Sequence, residues 1–163
     1  MVDGLESVRG LDGSTAQLTF DTWKGWFEQW LMALLPQLSS LQLSPINAYE
    51  LSLMLTDDTG IQQLNQTYRH QDKPTDVLAF AALETALPGH QDIYQQMPLN
   101  LGDIVISVDT AVRQAAEQGH PVKQELTWLA SHGLLHLLGW DHPDESSLQG
   151  MLAEQTTLLM LIS

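Results

Sequence analysis

The chain has 163 residues, a length that predicts one domain spanning residues 1–163, and 44% of them are hydrophobic, enough for a core. It contains no cysteine, which excludes disulfides, thiolate metal ligands and a cysteine nucleophile. With 6 basic against 20 acidic residues, the formal net charge is −14, so any site for a polyanion must be a local basic cluster or depend on a bound cation.

The N-terminal third predicts a strand, a helix and a second strand. Residues 1–14 have no regular pattern, and Thr15–Phe20 alternates as a first strand does. Asp21 is the predicted cap of a helix that Pro36 ends. An apolar stripe at three-and-four spacing predicts that this helix packs on the core rather than stacking on bases; its members are Trp23, Trp26, Phe27, Trp30, Leu31, Leu34 and Leu35. Tyr49–Thr56 alternates and predicts a second strand.

The middle of the chain adds a helix, two strands and a loop. The segment Asp57–Arg69 predicts a helix, and four of its residues fall on one side: Ile61, Leu64, Asn65 and Tyr68. Val77–Ala82 predicts a third strand and Asp103–Val108 a fourth. Between them, Glu84–Asn100 is polar and contains prolines and a glycine, which is typical of a loop.

Three helices are predicted at the C-terminal end. They are Asp109–Gln118, Pro121–Leu138 and Glu145–Leu161, and the first two end at Gly119 and Gly139. Because strands alternate with helices, the sequence predicts an α/β fold with a small sheet of about four strands and about five to six helices.

The segment HGLLHLLGWDH, residues 132–142, contains three histidines. On a helix, His132 and His136 lie on one face, about 6 Å apart along the axis. Gly139 can adopt the left-handed conformation and turn the chain so that His142 reaches the same point. Three imidazoles with an open fourth position are the arrangement of catalytic zinc, although nickel, copper and iron also accept imidazole. We therefore expect one metal ion per chain, most reasonably Zn²⁺.

The histidine spacing resembles H-E-x-x-H-x-x-G-x-x-H, the metal motif of the metzincin proteases. The long helix is therefore expected to be a metzincin-like metal helix. One departure matters, because Gly133 stands where the proteases have the glutamate that acts as general base. The sequence thus predicts the metal scaffold and disfavours peptidase chemistry.

Three stretches together resemble the YbeY-type bacterial endoribonucleases. They are HGLLHLLGWDH, LNQTYRHQDKPTDVLAF (Leu64–Phe80) and LGDIVIS (Leu101–Ser107), within a match over about Glu50–Asp144. The resemblance implies a small mixed sheet surrounded by helices, a zinc site of three histidines, and cleavage of single-stranded RNA. It further implies a role at the 3′ end of small-subunit ribosomal RNA and in ribosome quality control, with Arg69 as the functional arginine.

Arg69 suits that role chemically, since a guanidinium can bind two phosphate oxygens at once. Arg69, His70 and Lys73 also form the local basic cluster that the acidic chain requires. Taken without the resemblance, the pattern favours a surface arginine paired with Asp72 or Asp76.

The sequence does not identify the general base. Asp141 could act as the base or orient an imidazole, and Asp76 could act as the base or cap local backbone groups. Either water or the 2′-hydroxyl of the RNA could be the nucleophile. Two other functions also stay open: a metal hydrolase of another substrate such as peptides, and a non-catalytic ribosome-assembly factor whose structural zinc takes Asp141 or Asp144 as fourth ligand.

The expected partners are single-stranded ribosomal RNA and the ribosome or its associated proteins, with neither DNA nor membrane. The N-terminus has no basic segment followed by an apolar one, so we expect no signal peptide and a cytoplasmic protein.

Overall fold

A computed structural model describes residues 18–40, 49–82 and 99–162. Within these ranges the chain forms five helices and three strands. In chain order they are α1 (Phe20–Ser40), β1 (Tyr49–Thr56), α2 (Asp58–Arg69), β2 (Val77–Ala81), β3 (Leu99–Ser107), α3 (Val108–Gln118), α4 (Val122–Leu137) and α5 (Glu145–Met160). The α/β class and the number of helices agree with the prediction.

The sheet is mixed, as expected, with β3 at its centre. β1 pairs with β3 in parallel and β2 pairs with β3 in antiparallel orientation, giving the order β1-β3-β2. The described residues contain three strands, so they do not confirm the expected count of about four. The difference lies at the predicted first strand, Thr15–Phe20. Phe20 begins α1, and Leu18 and Thr19 precede it without regular structure, while residues 15–17 lie outside the described ranges.

Capping chemistry explains why α1 begins at Phe20. The Thr19 hydroxyl accepts a hydrogen bond from the backbone N–H of Thr22 at 3.2 Å, which satisfies one of the free donors at a helix start. Thr19, not Asp21, therefore caps the helix. Pro36 does not end it either, because α1 continues to Ser40. Pro36 is exposed, and the single backbone hydrogen bond that a proline removes does not stop the helix there.

β3 begins earlier than its sequence indicates. The prediction ended a loop at Asn100 and began the strand at Asp103, but Leu99 and Asn100 already pair with Tyr49 and Glu50 of β1. The rest of that predicted loop, residues 83–98, lies outside the described ranges. Pairing with a neighbouring strand overrides local polarity at this end.

The predicted apolar stripe of α1 packs in the core. Trp23, Phe27 and Trp30 are buried with apolar residues of the sheet, α4 and α5. The Trp30 indole donates to the carbonyl of Leu158 at 2.9 Å, which ties α1 to α5. These contacts confirm core packing rather than a base-stacking surface for the stripe.

α4 is the central helix, since it contacts β2, β3, α3 and α5. Gly133 permits close contact with the sheet. A Cβ atom at this residue would lie 2.8 Å from Cγ2 of Ile104 on β3, closer than such atoms approach in proteins. Within the described part of the chain, none of the helices is both long and apolar enough to cross a membrane.

Candidate metal centre

The end of α4 positions the histidine segment. Gly139 has φ +94°, the left-handed conformation that glycine adopts without strain. Its N–H donates to the carbonyl of His136 at 3.1 Å, and the N–H of Trp140 donates to the carbonyl of Leu135 at 3.0 Å. This pair of hydrogen bonds is the Schellman motif, and it turns the chain back toward the helix that it has just left.

The structure brings the three predicted histidines together. Ring nitrogens of His132, His136 and His142 all lie within 4.8 Å of one another. Nε2 of His132 and Nε2 of His136 lie 3.1 Å apart. His132 and His136 are half-buried, whereas His142 is exposed. Three imidazole nitrogens that converge on one point are a suitable donor set for a divalent transition metal.

Gln155 of α5 orients the ring of His132. Its Nε2 donates to the carbonyl of Trp128 at 2.8 Å, so its Oε1 faces Nδ1 of His132 at 3.3 Å. An amide oxygen only accepts, so this contact favours the tautomer of His132 in which Nδ1 carries the hydrogen and Nε2 is free to bind a metal. The Trp128 ring stacks on His132 with centroids 5.2 Å apart and an interplanar angle of 9°.

Sequence reasoning did not find Gln155. Its side chain is 1% exposed and lies on the buried face of α5, between Met151 and Leu158. A glutamine at an otherwise apolar helix position is the signal that could have identified it, because buried polar groups need a partner.

The electrostatic surroundings keep two of the imidazoles neutral. Burial lowers the pKa of His132, and repulsion from His142 lowers it further. Burial also lowers the pKa of His136, as do the neighbouring rings of His132 and His142. A hydrogen bond to the Trp140 backbone acts in the opposite direction on His136. Since only the neutral ring offers a lone pair to a metal, this environment suits metal binding.

The carboxylates considered as a fourth ligand have other contacts. Asp141 accepts a hydrogen bond from the backbone N–H of His142 at 2.8 Å. Asp144 caps α5 by accepting from the N–H of Ser147 at 2.7 Å. Over the described ranges, the cluster of possible metal ligands contains the three histidines and no carboxylate.

A cleft of about 770 Å³ opens beside His132 and His136, and the ends of α2 and β2 form its opposite wall. Arg69 lines this cleft. Its Nη2 donates to the carbonyl of Ala79 at 3.2 Å, and its guanidinium carbon lies 5.9 Å from the centroid of Phe80. The structure thus places Arg69, His132 and His136 around one space.

The surface pairing considered for Arg69 is not formed by the residues that the structure describes. Asp72 accepts from the side chain of Gln62 at 2.9 Å. Asp76 accepts from the backbone N–H of Val77 at 2.7 Å, and from Gln114 at 3.3 Å. Asp76 also lines the cleft, but its short contacts are those of a local backbone cap.

Comparison with known proteins identifies the family. The family model described as "Endoribonuclease YbeY" matches residues 12–163. A protein of that name from Acaryochloris marina is 58% identical over 146 residues, covering 89% of this chain and 79% of the relative. The relative from Trichormus variabilis is 54% identical over 144 residues, covering 88% of this chain and 78% of the relative. The relative from Synechocystis is 54% identical over 146 residues, covering 90% of this chain and 79% of the relative.

A solved structure is also similar. The solution structure of TM1509 from Thermotoga maritima is 27% identical, with a TM-score of 0.48, and the match covers 83% of this chain and 82% of that one. The family model and the relatives above half identity agree with the resemblance seen in the sequence. The chain belongs to the YbeY endoribonuclease family.

Proposed function

We propose that this protein is a zinc-dependent, single-strand-specific endoribonuclease that matures the 3′ end of small-subunit ribosomal RNA, acting as one domain in the cytoplasm. His132, His136 and His142 hold the metal, and Arg69 binds the phosphate of the RNA. The observation that carries the proposal is the convergence of three imidazoles at the edge of a cleft that Arg69 also lines.

The donor set fits zinc in a catalytic role. Structural zinc has four protein ligands, and the cluster in the described residues offers three, which leaves a coordination position for substrate or water. When bound, Zn²⁺ supplies Lewis acidity, which stabilises charge on a phosphoryl oxygen and lowers the pKa of water to about 7.

Arg69 supplies the second positive group. Its hydrogen bond to the Ala79 carbonyl and its position over Phe80 hold the guanidinium in one orientation before substrate arrives. A guanidinium held in this way can donate to two phosphate oxygens as negative charge develops on them. This preorganisation supports a catalytic role for Arg69 rather than a structural one.

The edge of β2 argues against a peptide substrate. The backbone N–H of Val77 donates to Asp76, and the carbonyl of Ala79 accepts from Arg69. A peptide that bound by adding a strand to this edge would need both groups. Gly133 adds a second reason, since the position where proteases carry their general base packs against Ile104.

Elemental analysis and RNA cleavage test the proposal together. The purified protein should contain about one zinc per chain and cleave unstructured RNA, and a chelator should abolish cleavage until zinc is restored. His136→Ala and Arg69→Ala should each lower cleavage by at least about 100-fold. A matched control is Lys24→Ala, which removes an exposed cation away from the cleft and should cleave as wild type does. Full cleavage by both active-site variants would refute the proposal.

The termini of the products identify the nucleophile. Attack by the 2′-hydroxyl leaves a 2′,3′-cyclic phosphate, whereas attack by water leaves a hydroxyl and a phosphate. The ribosomal role has a separate test in cells that lack the protein. They should accumulate small-subunit ribosomal RNA with an extended 3′ end, and wild-type protein but not His136→Ala should correct it.

A further inference from the structure

An exposed aromatic ring lines the cleft beside the proposed metal centre. Tyr68, in the last turn of α2, is 64% exposed, although Ile61 and Asn65 on the same predicted face are buried. Its ring meets the Phe80 ring edge to face, with centroids 5.2 Å apart and an interplanar angle of 60°. The proposed cleavage chemistry does not use the Tyr68 ring.

The charged residues that line this cleft give it little electrostatic attraction for RNA. Among the described residues that line it, Arg69 is the one lysine or arginine, and the carboxylates of Asp76 and Asp141 line it as well. Elsewhere in the described ranges, Lys24, Arg113 and Lys123 lie outside the cleft and have partners of their own, which are Glu28, Asp58 and Trp26. Lys73 is exposed and does not line the cleft. On a chain of net charge −14, affinity for RNA needs another source.

We propose that Tyr68, supported by Phe80, is a stacking platform that holds one base of a single-stranded RNA beside the histidines. The inference rests on the proposed function, since it names how that substrate is bound. Every base has an aromatic face, so a platform of this kind accepts RNA with little regard to sequence. Arg69 follows Tyr68 directly in the chain and lies over Phe80, which places a phosphate-binding group next to the stacked base.

The salt dependence of binding separates stacking from charge. For a single strand, the logarithm of the association constant falls with the logarithm of salt concentration with a slope of about −0.7 per phosphate contact. One or two contacts predict a weakening of about 3- to 7-fold between about 50 and 200 mM salt. A groove with about six contacts would instead lose about 300-fold.

Fluorescence of a stacked base tests the platform directly. A short, unstructured 2′-O-methyl oligoribonucleotide carrying 2-aminopurine is titrated with zinc-loaded protein, and its integrity is checked afterwards. Wild-type protein should quench the fluorophore and show the shallow salt dependence. Tyr68→Leu should weaken binding about tenfold, within the range of about 5- to 150-fold for loss of one stacked base, and should lose the quenching. Tyr68→Phe keeps the ring and should behave as wild type.

Phe20→Leu is the matched control, because it removes an exposed ring, 37% exposed, that lies outside the cleft. Tyr68→Gln provides a second ring-free variant, and thermal unfolding verifies that each variant folds. Unchanged affinity in both ring-free variants overturns the platform and leaves the proposed function standing. Binding that needs Tyr68 without any cleavage supports the platform and overturns the proposed function. A wild-type protein that binds no RNA overturns both.

Discussion

Replacing Gln155 with leucine should weaken zinc binding without touching a ligand. In the metal-free protein His132 has two competing partners: Gln155 Oε1 at 3.3 Å from Nδ1, and His136 Nε2 at 3.1 Å from Nε2. A neutral imidazole has one N–H, so it donates to one partner or the other. Donation to Gln155 leaves Nε2 free for the metal, whereas donation to His136 blocks it. Gln155→Leu removes the acceptor for Nδ1 of His132. The balance then shifts toward the tautomer with the hydrogen on Nε2, which cannot bind zinc through that atom.

The geometry sets the size of the effect. Loss of a group that orients a metal-binding histidine generally costs about 10- to 100-fold in affinity. The contact of 3.3 Å is longer than the usual hydrogen bond of about 2.9 Å, so we expect the lower end, about tenfold or about 1.4 kcal/mol. Folding should be little affected, because the Trp128 carbonyl keeps a second donor, the Ser131 hydroxyl at 2.8 Å.

A competition titration with a chromophoric chelator measures the zinc affinity, and thermal unfolding of the metal-free protein measures stability. Gln149→Leu makes the same chemical change on α5 at an exposed residue whose side chain bonds to Glu145. It should bind zinc as wild type does. Unchanged affinity in a folded Gln155→Leu protein, or an equal loss in Gln149→Leu, would refute the tautomer explanation.

Three further predictions concern stability. Gly133→Ala should lower the free energy of unfolding by about 1–2 kcal/mol in urea denaturation, because crowding against Ile104 costs about 1–3 kcal/mol and alanine regains up to about 1 as a helix former. Asp58→Asn should lower the free energy of unfolding by about 1 kcal/mol at neutral pH, a value that allows for solvent screening. The reason is that hydrogen bonds from Ser107 and then Thr110 hold the pKa of Asp58 below its ordinary value. The stabilisation by Asp58 is fully present above the ordinary pKa of aspartate and should disappear as the pH falls through the lowered pKa of Asp58 in the folded protein. Urea denaturation of both proteins at a series of acid pH values measures this loss. Removing zinc should lower the melting temperature, by an amount equivalent to about 2.7 kcal/mol when free zinc had been 100-fold above its Kd.

Each of these has a control within the chain. Gly150→Ala lies in α5 with no atom within 4 Å of the added Cβ, so it should stabilise the protein by about 0.5–1 kcal/mol. A loss at Gly150 equal to that at Gly133 would contradict the packing explanation. For Asp58→Asn, a stability difference that stays constant into strong acid would contradict the pKa explanation. Chelation should leave the melting temperature of His136→Ala unchanged, and an equal shift there would place the zinc elsewhere.

The parts of the centre that could be predicted from the sequence depend on local geometry. Two histidines four residues apart share a helix face whatever surrounds the helix. Gly139 ends α4 because the Schellman motif needs only residues near the helix end. His142 follows within three residues of that glycine, and the turn brings it to the other two rings.

What the sequence could not predict depends on contacts between distant elements. Gln155 is 23 residues from His132 and reaches it because α5 packs on α4. Arg69 bonds to Ala79 because α2 ends beside the edge of β2, whereas its near neighbours in sequence had suggested Asp72 or Asp76. At the described end of the predicted strand Thr15–Phe20, Leu18 and Thr19 have no regular structure and Phe20 begins α1. The Thr19 cap and the apolar stripe of α1 determine the helix start there, and both depend on the packing of α1 on the core.

Gly133 connects the fold with the chemistry. Its missing side chain lets α4 lie against Ile104, and a glutamate there would have to enter the space that this isoleucine fills. Gly133 thus packs closely against Ile104 while it also lines the cleft, so a larger side chain at this residue would require the isoleucine to move. Asp76 and Asp141, the other acidic candidates, use their carboxylates as local backbone caps. Under the proposed function, the metal held by the histidines and Arg69 across the cleft stabilise the charge that develops on the phosphate, and we expect the reaction to depend on this charge stabilisation more than on a protein base.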